Sequence, residues 1–211
     1  MVEANGTYSL LGEVLPEFLK LLIDLELNTT HPPNIGVFLC GDLYTSLEKR
    51  GASGDVRKVW FAFLKYFKWV AGVAGNHDRF GNATDLIDFK AIPNIFLLHK
   101  EIQVIDHLKI GGISGIIGRA DKTHRVDEKE YLNTLKKLTK KELDFLLLHE
   151  TPDFPSKQLK GNTKIRETIE KSTPTPICCG HCHWEQTFIS LANQSRVLNV
   201  DAKVVILKNT K

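Results

Sequence analysis

The chain has 211 residues, 42% hydrophobic, 25% charged and 9% aromatic, which is enough apolar content for one sizeable core and a single domain over 1–211. Its 28 Lys and Arg against 25 Asp and Glu leave a net charge of +3, too balanced to imply a nucleic-acid or membrane partner on charge alone. No apolar run reaches the ~18 residues that cross a bilayer, and the start Met1-Val2-Glu3-Ala4-Asn5 lacks a basic segment followed by an apolar one, so a cytoplasmic location is expected.

Leu10, Leu11, Val14, Leu15, Phe18, Leu19, Leu22 and Ile23 recur at helical spacing, with Pro16 marking either a kink or a helix start. After Thr30-His31-Pro32-Pro33-Asn34 breaks the chain, the continuous apolar run 35–40 predicts a strand buried on both faces, and Gly41-Asp42 follows at once. Val56, Val59, Trp60, Phe63, Leu64 and Phe67 predict a second helix capped at Ser53 or Asp55. Residues 69–74 then form a second apolar strand that ends in Gly75-Asn76-His77-Asp78.

Strands are predicted over 95–98, 102–105 and 109–113, a loop over 118–126 and a helix over 127–138. The run 143–148 is a third apolar strand and ends in His149; a short helix near 165–170 precedes a fourth, 177–179, which ends in Gly180-His181-Cys182-His183. The stretches 186–189, 196–200 and 203–207 read as terminal strands. Strands interleaved with helices predict a layered α/β domain. Four apolar strands each end in a cluster of Asp, Asn or His, and in such sheets ligands gather at the carboxyl ends of the strands.

Asp42, Asn76, His149, His181 and His183 offer one carboxylate, one amide oxygen and three imidazoles, a donor set for a borderline divalent ion rather than for Ca²⁺. In an extended segment His181 and His183 would point to the same side, with Cys182 pointing away. Asp42 could bridge two ions through its two oxygens. Gly41, Gly75 and Gly180 each precede a ligand and permit positive φ or close backbone approach. Cys40 lies far from the crowded Cys178, Cys179 and Cys182, which does not resemble a disulfide framework, so all four are expected as thiols. The glycines at 111–118 lack a following Lys-Ser/Thr and are explained by a strand and turn. Arg119, Lys122, His124 and Arg125 form a basic loop, solvated or in reach of a substrate phosphate, whereas Trp60, Phe63, Phe67 and Trp69 are expected in the core.

Taken in order, Gly41-Asp42, Gly75-Asn76-His77-Asp78, His149 and Gly180-His181-Cys182-His183 resemble the motifs of the calcineurin-like metallophosphoesterases. The resemblance spans most of the chain. It implies a β-sandwich flanked by helices in four layers, and a phosphoesterase that hydrolyses a phosphate mono- or diester by a metal-bound hydroxide. It implies two divalent ions, of Mn, Fe, Zn or Ni, with Asp42 bridging, Asn76, His149 and His181 on the second ion and His183 on the first. His77 would contact the phosphate and assist the leaving oxygen, and Asp78 would orient His77.

Two departures matter. Thr45 stands where the second Asp of Gly-Asp-x-x-Asp belongs, and no Asp-x-His pair precedes Gly41. Three accounts of the second are open: the first strand and its ligands lie upstream of Met1, Glu3-Ala4-Asn5-Gly6 replaces them although only two residues precede it, or the chain is a degenerate member with one metal or none. The last would make it a noncatalytic binding module. A small phosphoester is the expected substrate, with nucleic acid left open and no membrane partner.

Overall fold

An apolar sheet must be covered on both faces, and each of the two main sheets here has one face against the other sheet and one face under helices. The computed structural model describes residues 1–4, 6–26 and 31–208. The hairpin β1 (Val2–Ala4) and β2 (Thr7–Ser9) leads into α1 (Leu11–Glu26), followed by β3 (Gly36–Leu39), β4 (Gly54–Asp55), α2 (Arg57–Leu64), β5 (Trp69–Gly72), β6 (Asp78–Arg79), α3 (Ala83–Lys90) and β7 (Ile95–Leu97). Then come β8 (Glu101–Ile105), β9 (Leu108–Ile113), β10 (Ile116–Ile117), β11 (Arg125–Val126), α4 (Glu128–Thr139), β12 (Phe145–Leu148), α5 (Thr163–Glu170), β13 (Ile177–Cys179), β14 (Phe188–Ser190) and β15 (Arg196–Asn199).

Strands β3, β5 and β7 make a three-stranded parallel sheet in that order. The larger sheet has the order β14-β15-β13-β12-β9-β8, parallel at its centre with β14 and β8 antiparallel at its edges. Alternation of side chains along each strand builds the layers. Phe38, Trp69, Ala71, Leu147 and Cys178 lie between the sheets, where the Phe38 and Phe145 rings meet at 5.0 Å. Leu39 and Val70 face Val59, Trp60, Phe63 and Phe89 of α2 and α3, with Ile23 of α1 in the same cluster. Leu146, Leu148, Ile177 and Cys179 face Tyr131 and Leu135 of α4 and Ile165 and Ile169 of α5. The result is the expected α/β architecture of four layers, helix, sheet, sheet and helix. Trp60, Phe63, Phe67 and Trp69 are all buried in it. Among the described residues no helix is long and apolar enough to cross a membrane.

Several local expectations change. Helix α1 runs through Pro16, which is buried within it rather than marking its start. Val56 occupies the cap position of α2 without a side-chain cap, and Asp55 instead accepts the Arg57 backbone N–H at 2.9 Å. The loop expected over 118–126 is bracketed by the short parallel ladder of β10 and β11. Two residues before Glu3 suffice for a strand, because β1 pairs antiparallel with β2 in a hairpin separate from both main sheets. Residues 203–207 form no strand. Val204, Ile206 and Leu207 are exposed, since among the described residues no neighbouring strand pairs with this apolar run.

The layering makes a stability prediction. Leu147 is wholly buried between the sheets, so Leu147→Ala should cost roughly 2–5 kcal/mol. Ile87→Ala, on the exposed side of α3, should stay within about 0.5 kcal/mol. Urea denaturation midpoints measure the difference.

Candidate metal centre

Because β3 runs parallel to β5, and β12 parallel to β13, their carboxyl ends carry Asp42, Asn76, His149 and His181 to one region. The first two loops touch backbone to backbone. Gly41 has φ +83°, and a Cβ there would lie 2.4 Å from the Gly75 nitrogen and 2.6 Å from His149 Nδ1. A Cβ on Gly75 would lie 2.1 Å from the Asp42 nitrogen. Only glycine permits this approach at either position. Gly180 is less demanding: its Cβ would meet the Cys40 carbonyl at 3.1 Å, with no positive φ.

His149 is fully buried, and its Nδ1 lies 2.7 Å from the Cys40 carbonyl. A carbonyl oxygen only accepts, so Nδ1 carries the proton and donates, which leaves Nε2 as the nitrogen facing the site. That Nε2 sits 3.3 Å from Asp42 Oδ2 and 3.3 Å from Asn76 Oδ1. His181 Nδ1 approaches the same Asp42 oxygen at 3.8 Å, and the two imidazole rings are 5.0 Å apart at 62°. Asp42, His149 and His181 present ligand atoms all within 4.8 Å of one another. The other Asp42 oxygen, Oδ1, accepts the His77 backbone N–H at 3.0 Å.

The electrostatics suit a cation. Burial pushes the Asp42 carboxyl up, but the two imidazoles and the His77 N–H outweigh it and hold the group well below the usual carboxylate range. Burial pushes His149 down, and the Asp42 carboxylate more than reverses this, so its pKa is raised. One carboxylate, two imidazoles and the amide oxygen of Asn76 fit a borderline divalent ion.

Two expected residues stand elsewhere. His183 does not join the group; it is largely exposed, with Nδ1 3.1 Å from Asp201 Oδ2. The expectation that it shares a side with His181 assumed an extended segment. The chain instead turns, His181 adopting φ +68° and the Cys182 N–H reaching back to the Gly180 carbonyl. Asp78 does not orient His77 through a side-chain bond. Its buried carboxylate accepts the Leu43 N–H and the Gly75 N–H, each at 2.8 Å, and so ties the Gly41-Asp42 loop to the Gly75-Asn76 loop. Burial raises its pKa, opposed by those two N–H groups. His77 Nδ1 is buried without a hydrogen-bond partner among the described residues. The Glu3-Ala4-Asn5-Gly6 alternative falls partly outside the described residues at Asn5; Glu3 is exposed in β1.

Sequence reasoning passed over four contributors. Glu150, next to His149, accepts the Ile117 N–H at 2.5 Å and the Asn162 side-chain N–H at 2.9 Å, which anchors two loops beside the centre. Ser114 accepts the Ala74 N–H and donates to the Leu98 carbonyl. Asp201 follows a strand parallel to β13, so the pattern of strands ending in polar residues could have found it; the Cys40 carbonyl, a backbone atom, left no side-chain signal. Of the basic loop, Arg119 is exposed and paired with Asp121, whereas His124 is half-buried against Phe80. Burial and the charge of Arg79 lower His124 to about 4, so it is neutral near pH 7.

The sequence model of the calcineurin-like phosphoesterase family matches residues 8–185, and the chain belongs to this family. No curated protein matches it. Among solved structures it is similar to the protein TT1561 of Thermus thermophilus, with 15% identity and a TM-score of 0.57 over 90% of this chain and 84% of that one. At that identity the likeness concerns the fold.

If Asp78 serves as a backbone clamp, Asp78→Asn should destabilise the fold by about 1–3 kcal/mol, because an amide can accept from one N–H while its NH₂ opposes the other. It should also weaken divalent-metal binding by ~10–100-fold. Thermal melts with and without metal separate the two effects.

Proposed function

We propose that this chain is a metal-dependent phosphoesterase whose centre is Asp42, Asn76, His149 and His181. The observation that supports this most is the buried His149, with Nδ1–H spent on the Cys40 carbonyl and Nε2 turned to Asp42 and Asn76. Such an outer hydrogen bond orients an imidazole for a cation and raises its basicity. A bound divalent ion supplies charge to the phosphoryl oxygens and an activated water.

The remaining work falls to the chain's own groups. Asp42 Oδ1, held by the His77 N–H, keeps the carboxylate turned so that Oδ2 faces the imidazoles. His77, adjacent to Asn76 and with a nitrogen free of partners among the described residues, is proposed to donate a proton to the leaving oxygen. A small phosphate mono- or diester is the proposed substrate, with Arg79, whose charge is felt at His124, as the proposed cation for its negative charge. A second ion would draw on Asp42 and on His183 once released from Asp201.

One observation favours a second reading. Among the described residues the donors assemble for one ion, and His183 is bonded to Asp201. The alternative proposal is therefore a noncatalytic module that binds a single metal.

Hydrolysis of p-nitrophenyl phosphate and bis-p-nitrophenyl phosphate, assayed with Mn, Fe, Zn and Ni, tests both readings. The enzyme reading expects activity that chelators abolish and that Asp42→Ala or His181→Ala reduces at least ~100-fold while the melting temperature of the metal-free protein is kept. Full activity in the double variant would overturn it. Metal bound at one ion per chain without hydrolysis of either ester would establish the module.

A further inference from the structure

We propose, resting on the metal-centre reading above, that Thr151 and Asn199 are positioning residues for the ligand His181, holding its strained turn closed from both sides. Neither residue touches the ion in that reading; each acts through the backbone of the turn.

The backbone at His181 is uncommon for a residue that bears a side chain. Its φ is +68°, and the Cys182 N–H donates to the Gly180 carbonyl at 2.8 Å, a bond between the third and first residues of a turn. That closure with positive φ is the rare, strained form of the γ-turn. Gly180, which would adopt positive φ freely, does not. The left-handed conformation falls on the histidine instead, where Cβ crowds the following carbonyl, and it persists only where the surroundings hold it. This turn separates His181, with Nδ1 3.8 Å from Asp42 Oδ2, from His183, which leaves for Asp201.

Two side chains supply the hold. In the larger sheet β13, which leads into the turn, lies between β12 and β15. The Thr151 hydroxyl, just past the end of β12, donates to the Gly180 carbonyl. Asn199, the last residue of β15, donates through Nδ2 to the Cys182 carbonyl at 2.9 Å. The first and third residues of the turn are thus gripped from the two strands that flank its own. Both side chains are wholly buried, where a polar group without a partner is costly. The amide has one workable orientation: Asn199 Oδ1 accepts the Asp201 N–H at 3.0 Å, so a flipped group would set oxygen against the Cys182 carbonyl and NH₂ against an N–H. The Gly180 N–H also donates to the His149 carbonyl at 3.2 Å, which joins the two histidines of the centre through backbone. Asn199 lies beyond residues 8–185, the segment that the family model matches. Without either grip the turn relaxes to ordinary φ and the imidazole of His181 leaves Asp42.

The probe is Co²⁺ alone, titrated into the whole chain and followed by its visible absorption. Thr151→Val keeps the side-chain shape and removes the donor; it should weaken Co²⁺ binding ~10–100-fold and alter the absorption bands, as should Asn199→Ala. Thr151→Ser, which keeps the hydroxyl, should restore most of the affinity. Thr139 is equally buried and donates to the Leu135 carbonyl at 2.9 Å within α4, so Thr139→Val should change only the melting temperature of the metal-free protein. Because Thr151 acts through His181, the double variant Thr151→Val with His181→Ala should bind Co²⁺ no more weakly than His181→Ala alone. The proposal is overturned if Thr151→Val folds and binds Co²⁺ as the unaltered chain does, or if its effect is undiminished in the His181→Ala background. Should Asn199→Ala fail to fold in a metal-free melt, Thr151→Val decides alone. An unaltered chain that binds no Co²⁺ would overturn the metal-centre reading itself, a result distinct from a centre that binds the ion and ignores both substitutions.

Discussion

The contact on which the rest depends is the hydrogen bond from His149 Nδ1 to the Cys40 carbonyl. His149 leaves the end of β12 in the larger sheet, and Cys40 follows β3 in the smaller one, so this single bond spans the sandwich at the edge where the centre lies. It is buried on all sides, where an unmade partner costs more than the bond contributes when made. It also decides which imidazole nitrogen faces Asp42. The separation of the sheets, set by Phe38, Phe145, Ala71 and Leu147 between them, thereby becomes a condition on the chemistry at their edge.

The same edge holds two carboxylates with opposite uses. Asp78 is more deeply buried and spends both oxygens on backbone N–H groups, which fixes the two glycine-bearing loops against each other. Asp42, half-buried, gives one oxygen to the His77 N–H and turns the other to two imidazoles. Their pKa values move apart: burial drives Asp78 upward against its two N–H donors, whereas the two imidazoles and the His77 N–H outweigh burial and hold Asp42 down. Glycines at 41 and 75 make the arrangement possible, since a methyl group at either would occupy the space the opposite loop fills.

Helix α1 shows how a single amphipathic pattern can be divided. Its inner residues join the cluster around Trp60, while its outer stripe remains in solvent with acids beside it. The run of apolar residues near its start was legible as one helix face. Which of those side chains point inward was not, because apolar residues occupy both sides and only the position of α2 separates them.

Legible along the chain were helices α1, α2, α4 and α5, the four apolar strands that end in Asp42, Asn76, His149 and His181, and the family whose motifs they carry, because hydrophobic period and turn residues are local properties; the hairpin β1–β2 and helix α3, whose apolar pattern is weak, were not. Tertiary structure decided the rest. The path of the backbone at 180–183 sent His183 to Asp201, the packing of two loops turned Asp78 into a clamp, and the lack of a neighbouring strand among the described residues left 203–207 unpaired. The tautomer of His149 was settled by a carbonyl 109 residues away in sequence, a choice that no pattern of side chains along the chain encodes.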